Sequence, residues 1–232
     1  MEEYPNSYLQ IFIYNKNIII NTDKMEIVIK NNINTNFKYI LLDYNYEKIN
    51  NFLKDEDHYP FQNDIFNCFN CFNKEELKYV IIGQDPYLGG LANGLAFACS
   101  NNIKKISPSL RNILKEINNT INTKTSKKED LINLNKDLNF LTKKGVLLLN
   151  SALTVNKIKS GSHLLIWKEF TEYIINKIDS ENISFFLWGN YAQNYKKIIK
   201  KSKIYECGHP SPLNRKNDFI GNSHFNIIFN LD

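Results

Sequence analysis

Apolar and polar positions change rhythm several times along the chain. In residues 8–30, YLQIFIYNKNIIINTDKMEIVIK, short apolar runs alternate and break at NKN and NTDK, a pattern that predicts two or three short strands. Asn45 to Lys54 and Asn63 to Phe72 carry helical spacing, the second opening near Pro60. YVIIG (79–83) is a short, wholly apolar run rich in β-branched residues, which predicts a buried strand, and VLLLN (146–150), ISFFLWG (183–189) and KIYECG (203–208) predict three more. Helical segments lie between them. SPSLRNILKEI opens with Ser107 as a cap and Pro108 at the first helical position. Further helices are expected over Leu131 to Leu141, over the amphipathic SHLLIWKEFTEYIINKI (162–178), and over YAQNYKKIIKK (191–201). TKTSKKED (123–130) reads as a polar, solvated loop.

Strands separated by helices imply a mostly parallel sheet covered on both faces. The fold class is therefore α/β, a three-layer α/β/α sandwich around a central four-stranded sheet, with a short N-terminal β segment added. Residues 1–42 read as an N-terminal extension packed on or near the core, and 43–232 as the main domain. Right-handed crossovers bring all four strand C-termini to one edge, where ligands bind in such folds. The residues ending the strands are Gln84 and Asp85, Asn150, Gly189, and His209. An acid, an amide and an imidazole thus converge on one mouth.

Composition adds little to this. The chain has 232 residues and a formal net charge of +5, carried almost wholly by lysine, since Arg111 and Arg215 are the two arginines. A modest positive excess suits a polyanionic partner without requiring one. Four cysteines are few for this length, which points to a reducing compartment. Cys68 and Cys71 form a lone C-x-x-C with no second pair at metal spacing, so two small apolar side chains on a buried face are the simpler reading. The acidic N-terminus is not a secretory signal, and no apolar run approaches the ~20 residues of a membrane helix. The expectation is an intracellular monomer away from membranes.

In order and spacing, GQDPY, GLAF, SPSL, GVLLLNSALTV, SH, LWGNYAQ, HPSPL and GNSHF resemble the motifs of family 1 uracil-DNA glycosylases over roughly residues 43–232. The resemblance implies hydrolysis of the N-glycosidic bond of deoxyuridine, in single- or double-stranded DNA, after the nucleotide flips out of the helix. It implies no metal or other cofactor. Asp85 then matches the catalytic aspartate that orients water and stabilises the sugar cation. His209 matches the histidine that hydrogen-bonds uracil O2, and Asn150 the amide that reads O4 and N3–H. Phe97 would stack on the base, Tyr87 would meet uracil C5 where thymine carries a methyl, and Gln84 would add pocket contacts. Pro86 would fix the turn and Gly83 would let the chain turn sharply. Ser109 and Ser211 match phosphate-gripping serines, and Leu213 the wedge that enters the vacated stack.

The chain departs from the pattern in places. Leu88 follows GQDPY where the family usually has histidine, the loop LGGLAN is one residue shorter, and Asn214 stands where serine is common. Residues 1–42 lie outside the resemblance and are the candidate contact for a replication or repair protein. Three alternatives compete: a DNA-tethering replication subunit on the same fold, a glycosylase with an iron–sulfur cluster on the four cysteines, and a mismatch glycosylase, which Tyr87 argues against.

Overall fold

The computed structural model describes residues 24–100, 106–124 and 136–231. In chain order, helices α1 (Met25–Asn32), α2 (Phe37–Leu42) and α3 (Glu47–Leu53) precede strand β1 (His58–Tyr59) and then β2 (Tyr79–Gly83). Helices α4 (Pro108–Lys124) and α5 (Asn139–Thr142) lead to β3 (Val146–Asn150) and β4 (Val155–Asn156). Helix α6 (Leu164–Ile178), β5 (Ser184–Trp188), α7 (Asn190–Gln193), β6 (Lys203–Cys207) and α8 (His224–Phe229) complete the chain.

The central sheet has the order β3-β2-β5-β6, every pair parallel. Its inner strands have no polar face, because helices cover both sides: Val80, Ile81, Ile82, Phe185, Phe186 and Leu187 are all fully buried. The edge strand β6 is different, with Lys203 and Glu206 exposed, charges that discourage further strand pairing. In register, Gly83 lies beside Asn150 and Trp188 beside Cys207, so all four strands end at one level. A second, two-stranded antiparallel sheet joins β1 to β4.

The strand expectation near the N-terminus fails where it can be seen. MEIVIK satisfies a period of two (25, 27, 29) and a helical one (25, 28, 29), and the chain uses the second: Met25, Val28 and Ile29 are buried on one face of α1. The Met25 N–H, an unpaired donor of the first turn, is taken by Asn50 Oδ1 at 2.9 Å. The strands expected over 8–23 lie outside the described residues. α1 and α2 contribute to the same core as the sheet, and Phe37 of α2 meets Phe69 at a ring separation of 5.6 Å.

Two expected helices are broken by side chains that bond elsewhere. Residues 63–72 form 3₁₀ turns at Gln62–Asp64 and Asn67–Asn70. There Asn67 Nδ2 donates to Asn93 O at 2.8 Å and Asn70 Oδ1 accepts from Asn34 N–H at 2.8 Å. The 191–201 segment tightens from α-helix to a 3₁₀ turn over Asn194–Lys197, and it cannot run on through 200–202 because Asp179 takes the N–H groups of Lys200, Lys201 and Ser202 at 2.7, 3.1 and 2.8 Å. Of the helix expected over 131–141, residues 131–135 lie outside the described residues and Asn139–Thr142 is helical. α8 was not foreseen.

Candidate active site

The strand ends converge as the parallel topology requires. β2 leaves the sheet at Gly83, whose φ is not in the left-handed region. A Cβ there would collide with Asn150 Oδ1 and come within 2.9 Å of Ala96 Cβ. Gly83 therefore serves close approach, not the sharp turn the sequence suggested. Its carbonyl accepts from both Ser151 N–H and Ser151 Oγ at 2.9 Å, and Gln84 O accepts from Ala152 N–H at 2.9 Å. These bonds tie the exit of β2 to the exit of β3.

Gln84, Asp85, Tyr87, Phe97, Ser109, Asn150 and His209 line one cavity of about 240 Å³, with Pro86, Leu88 and Ser160. Seven of the nine side chains singled out from sequence thus meet in one place. Ser211 and Leu213 line an adjoining groove of about 480 Å³ that shares His209 and also holds Arg215 and Lys216. Leu213 stands 88% exposed on its rim.

Each wall has a physical support. Asp85 is half-buried, and its Oδ2 accepts from Gly161 N–H at 2.6 Å and Ser160 Oγ at 2.9 Å. Gln84 Nε2 donates to Oδ1 at 3.2 Å. Tyr87 points its hydroxyl at Ser107, which donates to it at 2.6 Å while also capping α4 through Leu110 N–H. Burial outweighs that bond and pushes the phenol up to about 12, so Tyr87 is uncharged. Phe97 holds a φ of 64°, a costly value for a phenylalanine, and its ring packs against Trp188 and His209 at 5.6 and 5.8 Å.

Asn150 and His209 carry the most informative atoms. Asn150 is buried, and its Oδ1 has no hydrogen-bond partner. Such an atom is costly unless something else pairs with it. His209 Nδ1 accepts from Ser211 N–H at 3.0 Å, which puts the ring proton on Nε2. Burial lowers the histidine's pKa, so the ring is neutral and Nε2–H is a donor. Gly189 makes room for this ring, since a Cβ there would lie 2.9 Å from His209 Cβ.

Sequence reasoning missed Ser160 and Gly161. Their signal was positional: their loop follows β3 and β4, so it returns to the same sheet edge. The cysteines are all free thiols, and burial pushes Cys68, Cys71, Cys99 and Cys207 up. No helix among the described residues is long and apolar enough to cross a membrane.

Comparison with known proteins agrees with this geometry. The chain is 42% identical over 192 residues to a uracil-DNA glycosylase of Borrelia turicatae, covering 78% of this chain and 82% of that one. It is 44% identical over 173 residues to a uracil-DNA glycosylase of Campylobacter jejuni subsp. doylei, covering 72% and 71%. Among solved structures, mimivirus uracil-DNA glycosylase superposes with a TM-score of 0.70 at 25% identity, covering 90% of this chain and 80% of that one. The profile of the uracil DNA glycosylase superfamily matches residues 69–231, and the chain belongs to that superfamily.

Proposed function

We propose that this enzyme excises uracil from DNA, as the first step of base-excision repair, by the scheme of family 1 glycosylases. The observation that carries the reading is the buried, unpartnered Oδ1 of Asn150, a side chain that lines one cavity with Phe97. A base with N–H at position 3 and a carbonyl at position 4 satisfies that amide; cytosine presents the reverse pattern. A site left with an unmet buried acceptor rejects the wrong base strongly.

The chemistry follows from charge. Breaking the glycosidic bond builds positive charge on the sugar and negative charge on uracil. Asp85 stabilises the first and orients the attacking water. His209, neutral, donates Nε2–H to uracil O2 as charge builds there, a contact typically worth ~3–4 kcal/mol. Phe97 stacks on the base, Tyr87 faces C5, and Gln84 closes the floor. Ser109 and Ser211 bind phosphates flanking the flipped nucleotide, and Leu213 fills the gap it leaves in the stack. Every residue assigned lies after position 83, so 43–232 carries the catalysis, with α1 and α2 bracing its core.

The test is a gel assay of a uracil-containing oligonucleotide under single-turnover conditions. The wild type releases uracil, and Asp85→Asn is slower by at least ~10² with DNA binding nearly unchanged, because the carboxylate acts on charge that appears in the transition state. Equal rates would remove Asp85 from its role.

A further inference from the structure

We infer that Ser160 is a positioning residue for the hydrolytic step, holding the Asp85 carboxylate and the attacking water together. The inference rests on the functional reading above. Ser160 Oγ lies 2.9 Å from Asp85 Oδ2 and 3.1 Å from Oδ1, and Gln84 Nε2 lies 3.3 Å from the same hydroxyl. A serine has one proton and two lone pairs. The shorter distance gives the proton to Oδ2, and Gln84 Nε2–H takes one lone pair. One lone pair of Ser160 Oγ remains.

The carboxylate is filled in a complementary way. Oδ2 accepts from Gly161 N–H at 2.6 Å and from Ser160, while Oδ1 accepts from Gln84 Nε2 at 3.2 Å and keeps capacity for another donor. A water between Oδ1 and Ser160 Oγ can give one proton to each and direct its own lone pair at the sugar. The step balances. The water oxygen bonds to C1′ as the C1′–N1 bond breaks, its electron pair leaves on uracil, and one water proton passes to Asp85.

Two features make Ser160 fit for this. Leu88 lines the same cavity and offers no hydrogen-bonding side chain, so Ser160 supplies the side-chain hydroxyl bonded to Asp85 among the described residues. Its loop is also stitched in place. Asn156 N–H donates to Ser162 Oγ at 2.9 Å, Ile158 N–H donates to Asn156 Oδ1 at 2.8 Å, and Asn156 Nδ2 donates to Glu56 Oε1. A hydroxyl on a braced loop needs no rearrangement when the transition state forms.

The experiment measures single-turnover uracil release from a single-stranded oligonucleotide, and binding of the same oligonucleotide, for wild type, Ser160→Ala and Ser160→Thr. Ser160 is exposed, so neither variant threatens folding. Ser160→Ala is expected to lower the single-turnover rate roughly 10- to 100-fold, the scale of one hydrogen bond to a charged group, with DNA affinity unchanged. Ser160→Thr keeps the hydroxyl and recovers most of the rate, a rescue that a merely structural role would not give. Ser160→Ala at the parental rate, or Ser160→Thr no better than Ser160→Ala, overturns the assignment. A wild type that releases no uracil overturns the functional reading itself.

Discussion

Two histidines, His163 and His209, are both pushed toward the neutral form by burial, and they sit in opposite kinds of surroundings. Around His163, Trp167 Nε1–H donates to Thr154 Oγ1 at 2.6 Å, and that hydroxyl lies 2.8 Å from His163 Nδ1. Nε2 faces Glu56 Oε1 at 3.5 Å, and the Phe52 ring meets the imidazole edge-on at 5.0 Å. Both nitrogens are occupied, and the network closes on itself. His209 has one nitrogen occupied by Ser211 N–H, and its ring lines a cavity together with Asn150, whose Oδ1 is unpaired. Burial and a shifted pKa describe both regions. Unused hydrogen-bonding capacity distinguishes the one proposed as the active site.

The sharpest way to break this comparison is to remove each ring. His209→Ala should slow uracil release by ~10²–10³, the size of a lost oxyanion donor, with little change in stability. His163→Ala should cost ~1–3 kcal/mol of stability, since Thr154 and Glu56 lose their partner, and should slow the folded enzyme far less. Urea unfolding and single-turnover kinetics on both variants separate the two effects. A His163 variant that stays fully stable yet loses activity as His209→Ala does would erase the distinction.

The open region was legible in the sequence because parallel strands buried on both faces read as unbroken apolar runs, and their ends must share an edge. Asp85 and Asn150 follow two such runs, and His209 follows the partly polar edge strand β6, which parallel order brings to the same edge. The closed region was not legible: Glu56, Thr154, His163 and Trp167 come from four separate places, and only the packing of α6 under the β4 loop joins them. Ser160 was hidden for a related reason, lying ten residues past the end of β3 on a loop whose path depends on that network. The α1 segment was misread because six residues of MEIVIK fit both periods, and burial against Asn50 and the core decided between them.

Acid should expose the closed side of the comparison next. All four histidines, His58, His163, His209 and His224, have pKa values lowered by burial, and His224 is lowered furthest, to about 4, with Trp188 Nε1–H donating to its Nδ1 at 3.0 Å. The folded state resists the proton that the unfolded chain binds near pH ~6.5. Stability is therefore fully present above ~6.5 and is lost as pH falls toward 4, with His224 alone contributing up to ~3 kcal/mol. Urea midpoints at pH 7, 6, 5 and 4 would show the slope, and His224→Gln should flatten it more than His209→Ala does. A slope that His224→Gln leaves intact would place the acid sensitivity in other groups.

The smallest effect comes from Tyr87, whose two ends meet the two kinds of surroundings. Its hydroxyl is closed by Ser107, and its ring forms a wall of the open cavity. The two halves can be removed separately. Tyr87→Phe breaks the bond to Ser107, leaves the cap on α4 in place, and should cost ~1 kcal/mol of stability without admitting thymine. Tyr87→Ala removes the wall itself, so space for a methyl opens beside uracil C5. Pocket shape of this kind discriminates by ~10–200-fold per methyl-sized group, so slow thymine release should emerge in the alanine variant while uracil release falls. The gain stays small because thymine must also flip before it can be tested. Oligonucleotides with a single U or T, incubated with each variant and cleaved with hot alkali, report both. If Tyr87→Phe releases thymine as well as Tyr87→Ala does, the tether to Ser107 sets the filter by fixing where the ring stands. If neither does, the methyl is excluded by another wall, and Tyr87 serves the structure through its bond to Ser107 alone.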